Sequence, residues 1–119
     1  MHRILSALAL LTFVLWTSPA LAHSKMATSV PSDGASVAKG LSKIDLKFTK
    51  PVRLTLVKVT QTETQTDVKS EVLGASGLSK SQEVSVSPLN PGKHTLAWTA
   101  IGEDGHVMKG SFSFKVTDQ

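Results

Sequence analysis

Along most of this chain apolar and polar residues trade places at every second position, the period of a half-buried β-strand. Ile44, Leu46 and Phe48 alternate with Asp45 and Lys47; Val84 and Val86 alternate with Glu83 and Ser85. Phe112, Phe114 and Val116 alternate with Ser113 and Lys115. Further strands are expected over 26–30, over 52–60 with Leu54, Leu56, Val57 and Val59, over 68–73, and over 93–101. Turn chemistry separates them. Pro31-Ser32-Asp33-Gly34 and Asn90-Pro91-Gly92 are turns, because Pro fixes φ and Gly accepts positive φ. Lys50-Pro51 is expected to interrupt pairing, and the polar, Thr-rich stretch 61–67 to form a long hairpin loop. The Gly-, Ser- and Lys-containing stretch 74–81 reads as another loop. No amphipathic helix stands out, although 32–40 has room for one turn. Turn signals at intervals of roughly 8–12 residues predict a single Greek-key antiparallel β-sandwich, Ig-like or cupredoxin-like, of about seven strands.

One segment lacks this alternation. Met1-His2-Arg3 carries a positive charge, 4–16 is a continuous apolar run, and Ser18-Pro19 breaks it before Ala20-Leu21-Ala22. That order of charged, apolar and small-residue regions marks a cleaved secretory signal peptide over 1–22. The run falls short of the ~20 apolar residues that span a bilayer. The mature domain is then 23–119, exported to the periplasm, with 97 residues remaining from 119 after removal of 22. That is enough for one sandwich core. There are no cysteines, which excludes a disulfide framework, a blue-copper thiolate site and a Cys-ligated zinc site. The whole chain has 13 basic and 9 acidic residues; loss of Arg3 leaves 12 against 9, a formal charge of +3. The lysines are scattered singly, with no basic cluster interleaved with aromatics, so nucleic acid is not an expected partner.

Candidate chemistry concentrates where a strand ending near Ile101 meets one returning from His106. Glu103, Asp104 and His106 lie there among Gly102, Gly105 and Gly110. A carboxylate and an imidazole two residues apart on a Gly-bearing turn can converge on one point. The plainer reading of the pair alone is a polar loop in which Asp104 caps backbone amides. Two ligands are too few for a tight metal site, and His23 supplies the rest once cleavage makes it the N-terminus. Its free α-amine and imidazole Nδ1 can chelate a metal together, at little proton cost near neutral pH since the amine reference pKa is ~7.7–8. The set of one amine, two imidazoles and one carboxylate suits tetragonal Cu(II), while Zn(II) can use the same donors tetrahedrally. His94 shares strand parity with Leu96 and Trp98, which makes it a structural histidine. Trp98 is expected in the core, and Met26 and Met108 at the core or its rim. Glu103 is an alternative oxygen donor or a partner for an imidazole N–H.

Ala22-His23-Ser24-Lys25 across the mature start, Ser29-Val30-Pro31-Ser32-Asp33-Gly34 just after it, Trp98, and Asp104-Gly105-His106 followed by Gly110 and Phe114 together resemble the CopC/YobA family of exported copper-binding proteins. The resemblance covers 23–119. It implies a Greek-key β-sandwich and one Cu(II) per chain, held by the amine and imidazole of His23, by His106 and by Asp104. It also implies a monomeric copper carrier or buffer in copper resistance, working beside an inner-membrane copper transporter of the CopD type. Some members carry a Met-rich loop for Cu(I); the corresponding stretch here, 60–66, is Thr, Gln and Glu. No separate Cu(I) site is therefore expected.

Two other readings compete. A terminal-His copper brace also serves oxidative polysaccharide enzymes, but 97 mature residues with no tyrosine and one tryptophan leave no flat aromatic sugar platform. No Ser-His-Asp arrangement or catalytic carboxylate pair is evident, so no enzyme activity is expected. A metal-free Ig-like adhesion module is the third reading, and a mature start anywhere but His23 would favour it.

Overall fold

The computed structural model describes residues 26–73 and 77–119. The expected signal peptide over 1–22 and His23 lie outside them. Among the described residues eight strands follow in order: β1 (Met26–Val30), β2 (Ser36–Ala38), β3 (Lys43–Gln61), β4 (Thr66–Val68), β5 (Ser70–Leu73), β6 (Ser79–Val86), β7 (Gly92–Gly102) and β8 (Val107–Thr117). No helix forms among the described residues.

The 19-residue β3 organises the fold. Its first half lies between β1 and β6, with Leu46 opposite both Ser29 and Gln82. Its second half lies between β4 and β7, with Val59 opposite both Val68 and Leu96. The strand does not end at Lys50-Pro51, as the proline suggested. Pairing changes hands there instead: the β6 register breaks between Lys47 and Val52, and β7 pairing starts at Val52. Proline lacks a donor, so a position where the ladder is already broken costs it little.

The sheet runs β2-β8-β7-β3-β6-β5, with β1 and β4 also pairing β3. Because β3 bends through both halves, their inner faces share one core. Ile44, Leu46, Phe48, Val84 and Val86 from one half meet Leu96, Trp98, Phe112, Phe114 and Val116 from the other. The alternation over 44–48, 83–87 and 112–116 is thus the core pattern, and the all-β sandwich-like fold is the one expected.

Besides the continuous β3, and β6 beginning at Ser79 inside the stretch 74–81 that reads as a loop, three details differ from the sequence reading. Pairing is antiparallel except for β2, which runs parallel to β8. The hairpin after β3 is shorter than expected, with β4 beginning at Thr66, and Val68 closes β4 rather than opening a single strand over 68–73. A bulge between Leu54 and Leu56 inverts parity in β3. Val52 and Leu54 point inward, Leu56 turns outward at 60% exposure, and Val59 faces inward again.

The Pro31–Gly34 turn places β2 on its edge. Ala35 N donates to Ser32 O at 3.0 Å, with Gly34 at φ +80. The turn is fixed to β8 by Gly34 N donating to Ser113 O (2.7 Å) and Ser113 N donating to Asp33 Oδ1 (3.0 Å). Those bonds, rather than any apolar pattern in Ser36–Ala38, account for the parallel edge.

Candidate metal centre

The β7–β8 hairpin carries the candidate site at its tip. Ile101 pairs with Val107, so Glu103, Asp104, Gly105 and His106 project beyond the ladder. Gly102 N donates to His106 O and Gly105 N donates to Gly102 O, both at 3.0 Å. Gly105 takes φ +80 to bring the chain back. A side chain there would meet nothing within 4 Å, so the glycine is required by backbone conformation and not by space.

Asp104 and His106 converge as their spacing suggested. Asp104 Oδ1 accepts the His106 backbone N–H at 3.0 Å, and Asp104 Oδ2 lies 2.7 Å from His106 Nδ1. The carboxylate therefore holds both the backbone and the ring of a residue two positions on, an Asx-type turn extended to the side chain. The side chains remain open to solvent, His106 at 64% and Asp104 at 51%. Glu103 is exposed at the same tip. Among the described residues no three His, Cys, Asp or Glu side chains gather into a group able to hold a metal.

The other singled-out residues fall elsewhere. His94 is fully buried; its Nδ1 lies 3.1 Å from Gly92 O and its ring stacks on Phe114 with centroids 5.8 Å apart. It pairs with Gln61 at the opposite end of β7 from the tip. Eight residues of strand separate it from Gly102, about 26 Å at ~3.3 Å per residue, so it cannot share a metal with His106. Met26 and Met108 are half-buried against the core, as their apolar character suggested.

Trp98 is 6% exposed and packs edge-on against Phe48, with ring centroids 5.1 Å apart at 84°. Its cross-strand partner is Gly110. A Cβ at Gly110 would lie 2.5 Å from Trp98 Cζ2 and 2.8 Å from Nε1. Gly110 is thus the seat of the indole, a role the sequence alone does not reveal. It becomes readable once β7 and β8 are paired through the Gly102–Val107 tip, which puts residues 98 and 110 opposite each other.

The same architecture recurs among known proteins. The family model for the CopC domain matches residues 26–117. Protein YobA of Escherichia coli K12 is 30% identical over 116 residues, covering 92% of this chain and 91% of its own. Copper resistance protein C of Xanthomonas campestris pv. juglandis is 32% identical over 110 residues, covering 86% of each chain. The crystal structure of PcoC, a methionine-rich copper resistance protein from Escherichia coli, superimposes with a TM-score of 0.67 at 28% identity. It covers 81% of this chain and all of that one. The match runs from β1 to the end of β8, takes in both halves of the core and includes the Asp104–His106 tip, so this chain belongs to the CopC family.

Proposed function

We propose that this protein is exported to the periplasm, is cleaved after Ala22, and carries one Cu(II) there as a copper carrier or buffer. In this reading the metal is held by the amine and imidazole of His23, by His106 and by Asp104. The protein catalyses no reaction; the ion is its cargo. Its membership of a family that includes copper resistance proteins supports copper as the metal.

The observation that carries the ligand assignment is the 2.7 Å spacing of Asp104 Oδ2 and His106 Nδ1. Two donors each about 2.0–2.1 Å from a common metal stand about 2.8–3.0 Å apart at right angles, and about 3.3–3.4 Å apart in a tetrahedron. At 2.7 Å the contact has the length of a charge-assisted hydrogen bond, shorter than either spacing, so it supports convergence of the two donors on one point while the choice of Cu(II) rests on the donor set and the family. In the metal-free protein the same spacing is a hydrogen bond. Loading then exchanges the Nδ1 proton for the ion, and the carboxylate stays in place. Holding the pair through backbone bonds at the tip lowers the ordering cost of binding.

In this reading His23 completes the set, and chain length allows it. Met26 enters β1 opposite Phe48, just before the β3 corner, and Gly102 pairs with Val52 just after it. The first described residue and the hairpin tip thus both lie against the 48–52 stretch of β3. Three further residues reach about 10 Å. The openness of the tip also suits a carrier, because a buried metal would exchange poorly.

A second arrangement fits the same contact. Asp104 can keep the Nδ1 proton and orient the ring, leaving Nε2 for the metal, as carboxylates often do behind a ligating imidazole. The test for both is a Cu(II) titration of the processed protein followed by electron paramagnetic resonance. The proposal expects one tight equivalent with nitrogen hyperfine structure. In Asp104→Asn the spectrum changes its ligand field if the carboxylate coordinates, and keeps it with weaker affinity if it only orients. Absence of a tight equivalent refutes the carrier reading.

A further inference from the structure

The face opposite the core on β3, β7 and β8 carries a groove that the metal site does not use. It encloses about 400 Å³ and is lined by Leu56, Lys58, Ala97, Thr99, Lys109 and Gly110 among others. The bulge in β3 creates it. Leu54 sits opposite Ala100 and Leu56 opposite Thr99, so Thr55 is the extra residue and Leu56 is turned out of the core. Ala97 and Gly110 keep the floor low, and Leu56 at 60% exposure forms an apolar wall. A leucine displayed by a backbone irregularity beside a concavity differs from a singly scattered surface leucine.

The lining is also charged with one sign. Lys58 and Lys109 flank it, and among the described residues no carboxylate lines it. Asp67 lies 3.6 Å from Lys58, but both side chains are more than 60% exposed, and such a pair is readily exchanged for another carboxylate. Toward the hairpin tip the same face continues through Arg53, Ile101 and Val107, which pair across the three strands. Val107 is 60% exposed. Lys109 is three residues beyond His106, about 10 Å along the strand.

We propose that this groove docks the protein that exchanges copper with the tip, and that this partner presents an apolar side chain ringed by carboxylates. The inference rests on the copper-carrier reading. The apolar side chain seats beside Leu56 and the carboxylates meet Lys58, Lys109 and Arg53. Docking there brings the partner's own metal ligands beside Asp104 and His106. A protein fits better than a lipid surface. Glu103 and Asp104 at the tip are repelled by a uniformly anionic bilayer, whereas a protein can place donors or cations opposite them.

The test is an amide-shift titration of the isotope-labelled protein with two probes. One is a short peptide with a Phe-Leu centre flanked by glutamates; the other is vesicles of phosphatidylglycerol and phosphatidylethanolamine. The expected result is saturable shifts at Leu56, Lys58, Ala97, Thr99 and Lys109 with the peptide. Leu56→Glu should weaken it roughly tenfold or more, the loss of one central anchor. Lys109→Glu should weaken it by a smaller, salt-dependent factor. Both positions are exposed, and a dispersed amide spectrum verifies the fold of each variant. Shifts confined to the tip, affinity indifferent to Leu56→Glu, binding to vesicles without the peptide, or no binding of either probe each overturn the proposal. Cu(II) affinity measured on the same variants should equal that of the parent. A parent protein that binds no copper refutes the carrier reading, and leaves the groove result to be judged by the peptide alone.

Discussion

Replacing Gly110 with alanine adds a single methyl group, and the structure puts that methyl inside the van der Waals surface of Trp98. The new Cβ would sit 2.5 Å from Cζ2, 2.6 Å from Cε2 and 2.8 Å from Nε1. Carbon atoms pack comfortably at about 3.5–4.0 Å, so the ring has to retreat by about 1 Å. It has little room to do so, since it is 6% exposed and edge-on to Phe48. Overpacking of this kind costs about 1–3 kcal/mol. Removing a strand glycine returns about 0.5–1 kcal/mol through the unfolded chain. The net expectation is a loss of about 1 kcal/mol within a range of about 0–2.5, and a loss of that central size lowers Tm by roughly 4–8 °C in a domain of this size. Thermal denaturation followed by far-ultraviolet circular dichroism reads this in the processed protein and in every variant of the cycle, including those that lack Trp98. Trp98→Phe supplies the control: in a double-mutant cycle Gly110→Ala should cost much less on the smaller ring. A Gly110→Ala protein as stable as its parent, or a cycle with no coupling, would show that Trp98 does not rest on this glycine.

Four further outcomes are expected. One extra residue ahead of His23 converts the chelating amine to an amide and should abolish tight Cu(II) binding in a competition titration, as should His106→Ala; unchanged affinity in the extended protein rules out the brace. His94→Ala should leave Cu(II) affinity intact and cost about 2–4 kcal/mol in denaturant unfolding, since it empties a fully buried, stacked position. Copper affinity should fall as pH drops below neutrality, because nitrogen donors with reference values of ~6.5 and ~7.7–8 must be unprotonated to bind. Affinity that stays flat into mild acid would instead make carboxylates the main ligands. Finally, a Cu(I)-specific chelator should strip the reduced metal easily, as 23–119 has no thiol and only Met26 and Met108 as thioethers; tight Cu(I) retention beside bound Cu(II) would reveal a second site.

What the sequence discloses here depends on whether the signal is local. Ile44, Leu46 and Phe48 alternate within one strand, and all three are core residues. Asp104 and His106 are two residues apart on a Gly-bearing turn, and they meet. His94 follows the parity of Leu96 and Trp98, and it is buried with them. Features fixed by partners remote in sequence are not readable in this way. The run Leu54, Leu56, Val57, Val59 is apolar on both parities, so only the bulge against β7 decides that Leu56 faces out. Lys50-Pro51 looks like a strand end because local rules cannot show that β3 exchanges one set of neighbours for another there. Ser36–Ala38 has almost no strand character of its own, and it pairs in parallel because the Asp33–Gly34 turn is anchored on Ser113.

On the proposed carrier reading, the continuity of β3 limits how the ion can be released. One uninterrupted strand contributes to both halves of the sheet, with pairing to β1, β6, β4 and β7 along its length. The two halves consequently lack the swivel by which many binding proteins open around a bound solute, and parting them would mean breaking the core itself. An ion held at the hairpin tip must instead leave by stepwise substitution, an incoming donor taking one coordination position before a departing one lets go. Exchange should then track the concentration and chemistry of the receiving molecule. It should be nearly indifferent to solvent viscosity or to agents that stiffen the fold.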